Sequence, residues 1–258
     1  MINLHSHTQF CDGRASMEQI LEAAHKAGFH TWGFSPHAPI SIESPCNMES
    51  DSIGAYFAEV DRLRSLYPDM KVMRGMEVDY LNPGEGPGTA LVKSYGLDYI
   101  IGSVHFIPNQ KGKYIDIDGS SERFKRNLAN SFNGDLEYVV RTFWKQTQEM
   151  ILIGGFDIIG HIDKIALNAV AVEPEIEKTG LYRQLADETI DLAIKSGMAI
   201  EINTKHYERF GRFYPNPRFW RRIMKAGVSM SVNTDTHETS GILTGYADAM
   251  SLKSSFDK

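Results

Sequence analysis

Seven short apolar segments, each followed by an amphipathic helix or a polar loop, constrain this chain more than any other feature. The spacing predicts strands at 2–7, 31–35, 71–80, 98–105, 156–161, 198–204 and 228–233. The fourth is almost wholly apolar, as in a parallel strand buried on both faces. Between strands the period changes. Ser16-Met17-Glu18-Gln19 is a capping box, Met17, Ile20, Leu21 and Ala24 form a helical stripe, and Gly28 stops it. Leu136, Val139, Val140, Phe143, Trp144 and Thr147 form a second strong stripe. Asn216 with Pro217 opens a late helix, and residues 239 to the end predict the last one. Repeated strand–helix units build a parallel sheet, and seven of them argue for an α/β barrel of the TIM type, one unit short. The polar stretch 106–134 reads as a functional or disordered loop, with a helix at 122–129. No Pro/Gly/Ser linker, low-complexity tract or clear repeat divides the 258 residues, so one domain over 1–258 is expected.

A net charge of −6 gives a phosphate backbone no general attraction, which disfavours a nucleic-acid partner. Two cysteines without a CxxC motif, and no basic region leading into an apolar run, predict a reducing, cytoplasmic setting. No apolar segment approaches the roughly 18 residues that a membrane span needs.

The chemistry concentrates at strand ends. His5 and His7, at i and i+2, share a strand face and can reach one ion. Of nine histidines, six lie at or just past a predicted strand end: His5, His7, His37, His105, His161 and His237. Glu77 ends the third strand, Asp235 follows the seventh, and Asp12 lies in the first loop. His25 and His30 have no reason to be ligands, and His206 on a loop stays open. In a barrel these ends converge on the face where active sites are built. Burying so many imidazoles and carboxylates without cations would leave polar groups unpaired, so divalent metal ions are expected.

These residues stand in segments that resemble the PHP (polymerase and histidinol phosphatase) superfamily along nearly the whole chain: His5–Thr8, Asp12, Ser35–His37, Gly75–Glu77, Gly102–Phe106, Gly160–Asp163, Glu201–Thr204 and Thr234–His237. The Gly-Ser-Val-His-Phe and Glu-Ile-Asn-Thr segments resemble the histidinol-phosphatase branch most. The resemblance implies a distorted (β/α)7 barrel with three divalent ions, commonly zinc, manganese or iron. Carried over, His5, His7, Glu77 and Asp235 hold one ion. Glu77 bridges to a second, held also by His105 and His161, and Asp12, His37 and His237 hold the third. It further implies hydrolysis of a small phosphomonoester, L-histidinol phosphate above others, by a metal-bridging hydroxide. Asp235 or His237 then stands near the leaving alkoxide. Three divalent ions less three carboxylates and a hydroxide leave the centre near about +2, which suits a phosphate dianion. Mixed nitrogen and oxygen donors need no thiolate, so Cys11 reads as a packing residue.

Cations should also grip the phosphate. Lys164, Lys205, Arg209 and Arg212 lie on the right face, although the family's arginines near Asn203-Thr204 and after Gly160–Asp163 are absent here. Asp116, Asp118 and Glu122 are candidates for an amine or imidazole, and Tyr80 or Phe106 for stacking. Three rival readings remain. A phosphoesterase acting on nucleotides or nucleic-acid ends shares every ligand and would want the aromatic-basic run around Arg209–Arg222 for stacking, though Trp220 falls on a core stripe. An amidohydrolase would want a catalytic lysine or another histidine pattern. A metal-bound module without activity predicts lost ligands, and none is lost. Oligomeric state does not follow from the residues.

Overall fold

The computed structural model describes residues 1–256. Its strands are β1 (Ile2–Asn3), β2 (Thr31–Phe34), β3 (Lys71–Asp79), β4 (Tyr99–Ser103), β5 (Phe106–Pro108), β6 (Tyr114–Asp116), β7 (Ile158–Ile159), β8 (Ala199–Asn203) and β9 (Met230–Asn233). Seven of them form one parallel sheet in the order β1-β2-β3-β4-β7-β8-β9, and β5 and β6 pair antiparallel outside it. The sheet curls until its edges meet. Ser6 and Thr236 form a parallel bridge, and the His7 N–H donates to the Thr236 carbonyl at 2.8 Å. The result is a nearly closed seven-stranded barrel.

Among the described residues ten α-helices accompany it: α1 (Met17–Lys26), α2 (Ile53–Leu66), α3 (Ala90–Ser94), α4 (Ser121–Ser131), α5 (Leu136–Ile153), α6 (Ile165–Val172), α7 (Gly180–Ser196), α8 (Tyr207–Phe210), α9 (Trp220–Lys225) and α10 (Tyr246–Ser255). Among the described residues no helix is long and apolar enough to cross a membrane. The capping box forms: the Gln19 N–H donates to Ser16 Oγ at 3.2 Å, and the Ser16 N–H donates to Gln19 Oε1 at 2.9 Å. Such a cap is worth about 1 kcal/mol. All four stripe residues of α1 are buried, as are Val139, Val140, Phe143, Trp144 and Thr147 of α5.

Five regions differ from expectation. The first strand is regular only over Ile2–Asn3, because the chain then bonds to side chains. The Leu4 N–H donates to Asn233 Oδ1 and the Ser6 N–H to Ser35 Oγ. The strand predicted at 156–161 shortens to Ile158–Ile159, since Lys164 N–H bonds back to the His161 carbonyl and starts a turn. Within 106–134 the helix expected at 122–129 forms as α4, but the β5–β6 hairpin replaces the expected loop before it, and buried Ile107, Phe124, Leu128 and Phe132 anchor the segment. A helix not expected at all, α6, follows Lys164; its run, apolar but for Asn168, lacks the polar face that marks a helical period. The last helix begins at Tyr246 after a 3₁₀ turn at Thr239–Gly241, and the two final residues of its predicted span lie outside the described residues.

Tyr99 fills the barrel interior where Gly33 and Gly75 leave room, and its hydroxyl donates to the Leu4 carbonyl at 2.6 Å. A Cβ at Gly75 would overlap the Tyr99 ring, directly across the β3–β4 ladder. Gly75→Ala is therefore expected to cost about 3 kcal/mol, as overpacking of a filled core does. Urea unfolding checks this, and a change under about 0.5 kcal/mol would remove Tyr99 as the interior plug.

Candidate metal centre

Strand geometry explains the convergence. In a parallel barrel all C-terminal ends open on one face. His5 and His7 leave β1 there, His37 follows β2 and bridges to Glu77, His105 follows β4, His161 follows β7, and Asp235 and His237 follow β9. Asp12 arrives on the first loop.

Three groups form. In the first, His5 Nε2 lies 3.2 Å from Glu77 Oε2, and His7 Nε2 lies 3.0 Å from Asp235 Oδ1 and 3.6 Å from Glu77 Oε2. In the second, Glu77 Oε1 lies 2.8 Å from His161 Nε2 and 3.6 Å from His105 Nε2. In the third, His237 Nε2 stands 3.3 Å from Asp12 Oδ2, and His37 Nε2 stands 3.9 Å from Asp12 Oδ1. Glu77 thus divides its two oxygens between the first and second groups. His37 leans both ways, with Nδ1 3.1 Å from Glu77 Oε2.

The donor set fits cations. His5 Nε2, His7 Nε2, Asp12 Oδ1, His37 Nδ1 and Glu77 Oε2 are buried and make no hydrogen bond. Each such orphan costs about 1–3 kcal/mol unless something pairs it. Imidazole nitrogens and carboxylate oxygens together suit zinc, manganese or iron.

Charge points the same way. Burial alone would raise the Glu77 carboxyl, but the His5, His105 and His37 imidazoles hold it well below the usual range. Burial likewise opposes ionisation of Asp235 and Glu201, and neighbours overcome it: Lys205 and His5 for Asp235, His5 for Glu201. Asp12 is held down against burial by His237 and His37. Burial lowers His161 to about 4, assisted by Lys164, whereas Asp79 and Glu77 overcome burial to lift His105 to about 9. The centre therefore gathers ionised carboxylates in a largely buried pocket and attracts positive charge.

A cleft of about 800 Å³ opens above it. Lys164 is only 7% exposed, with Nζ 3.1 Å from Asp118 Oδ2 and 3.9 Å from Asp235 Oδ2. Lys205 Nζ lies 3.3 Å from Asp235 Oδ1 and 3.2 Å from His237 Nε2. Arg209 reaches the cleft wall, its guanidinium 4.9 Å from the Phe210 ring centroid. Arg212 does not line the cleft; it pairs with Glu177, which lies 35 positions away and gave no sequence signal. Asp116, Asp118, Glu122 and Phe106 do line it. Asp116 is held by Arg123 at 2.8 Å. Tyr80 is buried away from the cleft and cannot stack on a ligand there.

His25 pairs with Asp69 at the surface, and His30 bonds Thr31. Burial pushes the Cys11 thiol up to about 12, so it stays a neutral packing group. His206, left open by the sequence, lines the cleft with Nδ1 3.0 Å from the Tyr214 hydroxyl. Three buried carboxylates received no role from sequence: Asp79, Asp163 and Glu201. The polar Glu201-Ile202-Asn203 within an otherwise apolar strand was the available signal.

Residues 3–205 match the family model described as PHP domain. The probable histidinol-phosphatase of Schizosaccharomyces pombe is 27% identical over 92% of this chain and 80% of its own length. The crystal structure of hisK from Listeria monocytogenes superposes with a TM-score of 0.83 at 20% identity, covering 96% of this chain and 99% of that one. Histidinol phosphate phosphatase from Lactococcus lactis, solved with zinc, L-histidinol and phosphate, gives a TM-score of 0.69 at 16% identity, over 99% of this chain and 93% of that one.

Proposed function

We propose, from the premise that the chain belongs to the PHP domain family, that it hydrolyses a small phosphomonoester with L-histidinol phosphate as substrate, releasing L-histidinol and phosphate. The observation that carries this reading is the carboxylate–imidazole cluster facing a cleft with a lysine ammonium beside each oxygen of Asp235. The names and bound ligands of the relatives support the substrate.

His5, His7, Glu77 and Asp235 would hold one divalent ion, Glu77, His105 and His161 a second, and Asp12, His37 and His237 a third. When bound, such ions would lower the pKa of a water toward neutrality and offset charge developing on the phosphoryl oxygens. The chain supplies the rest. Lys164 and Lys205 meet the phosphoryl oxygens from two sides, each as a compact point charge. Buried Asp79 and Glu201 add two negative charges behind the ligands, and the two lysines add two positive ones in front. With the Asp118 carboxylate beside Lys164 also counted, the local balance is about +1, still positive toward a dianion. The leaving alkoxide would depart on the Asp235–His237 side, where the Lys205 ammonium stands to stabilise its charge. Asp118 is committed to Lys164 and Asp116 to Arg123, so Glu122 and Glu208 at the rim remain for an amine or imidazole.

A nucleotide substrate is the second reading, favoured by Phe210, 46% exposed beside Arg209 at the rim. The test is phosphate release from L-histidinol phosphate, a tyrosine-type phosphate, sugar phosphates and nucleotides, using metal-stripped and reloaded protein. High kcat/KM on histidinol phosphate alone is expected. A preference for nucleotides would replace the substrate and keep the chemistry. No release with any reloaded metal would leave only a metal-bound module.

A further inference from the structure

Glu201 lies on β8, fully buried, and touches nothing in the cleft. Its two oxygens receive four contacts. Oε1 lies 2.7 Å from His5 Nδ1 and 3.1 Å from Asn233 Nδ2; Oε2 lies 2.9 Å from the His161 backbone N and 3.1 Å from Asn203 Nδ2. The amide orientations are fixed independently. Asn233 Oδ1 accepts the Leu4 N–H, and Asn203 Oδ1 accepts the Lys205 N–H, so each side chain must turn its NH2 toward Glu201. With His5 donating from Nδ1, all four partners are donors. An ionised carboxylate accepts on both oxygens and satisfies the whole set.

The consequence runs to both halves of the centre. A proton held on His5 Nδ1 leaves Nε2 as a lone pair aimed at Glu77 and Asp235. On the other oxygen, Glu201 fixes the backbone of His161, a member of the second group. Asn203 extends the link, because its Nδ2 also lies 3.0 Å from Asp235 Oδ2. Asp79 makes an instructive contrast. Its Oδ1 takes both the His105 ring Nδ1 at 2.9 Å and the His105 backbone N–H at 3.1 Å, so it serves one ligand of one group.

We propose that Glu201 is the positioning residue that couples the first and second ion sites, so that both sites weaken together when it is altered. This rests on the metal-centre reading above. An amide at position 201 would turn a donor edge onto two donors, while a shorter carboxylate would keep the charge at the wrong reach.

The experiment measures zinc content per chain at graded chelator concentrations for wild type, Glu201→Gln and Asp79→Asn, with thermal melting of the chelated proteins alongside. Wild type should retain about three ions. Glu201→Gln should weaken two of them by roughly 10–100-fold, the usual effect of removing such a supporting partner, and leave one unchanged. Asp79→Asn should weaken one. Should Glu201→Gln fail to fold, Glu201→Asp serves, with the same two ions weakened by a smaller factor. Glu201 variants that match wild-type retention, or weaken all three ions alike, overturn the coupling. A wild type that binds no zinc overturns the metal reading itself, so the two failures are distinct.

Discussion

Glu77→Gln should cut phosphate release on the order of 10³- to 10⁴-fold, the largest loss of any single substitution in this chain. Glu77 alone gives an oxygen to each of two ligand groups, 3.2 Å from His5 Nε2 and 2.8 Å from His161 Nε2. An amide keeps the shape but removes the charge and turns one of those atoms into a donor, so both groups lose a ligand. Each factor of ten in rate is about 1.4 kcal/mol, and the loss of transition-state charge stabilisation is worth several kcal/mol. His161→Ala should fall less far, because His161 serves only the second group. The effect belongs in kcat, with metal content reduced and the barrel still melting cooperatively. Rates within tenfold of wild type for both variants would mean that the cluster is not the catalyst.

Why the cluster was legible and its surroundings were not is a matter of where the signal sits. A ligand set leaves short motifs at strand ends, so His5-Ser6-His7, Glu77, His105, His161 and Asp235-Thr236-His237 were each visible beside a strand boundary. The structure brings all nine candidate residues to one face. The barrel itself was legible because its strands alternate with helices, except where a periodic signal was missing. β1 and β7 are cut to two residues each by side-chain bonds and a turn, and α6 has no polar face to reveal it. Long-range pairing left no trace. Arg212 resembled a phosphate ligand until Glu177 claimed it, and nothing in the local sequence marked Lys164 as buried beside Asp118. Glu201 gathers donors from residues 2, 32, 40 and 196 positions away, a geometry no local pattern carries.

Stripping the ions should lower the melting temperature of this protein by about 10–20 °C. Without cations the centre keeps Asp12, Glu77, Glu201 and Asp235 ionised in a buried space, each held down by neighbours against burial. It also keeps His5 Nε2, His7 Nε2 and Glu77 Oε2 without hydrogen bonds. An ion that binds only the folded chain adds about 2.7 kcal/mol when free ion is a hundredfold above Kd. Three ions then add about 8 kcal/mol, and a chain of this size shifts roughly 2 °C or more per kcal/mol. The direction matters as much as the size. Lys164 and Lys205 offset part of the negative charge, so the stripped barrel should still fold and recover its melting point when zinc, manganese or iron is restored. Differential scanning calorimetry before chelation, after it and after reloading reads all three states. An unchanged melting temperature would mean that these buried atoms are paired by something other than a metal, and the charge argument for the centre would fall with it.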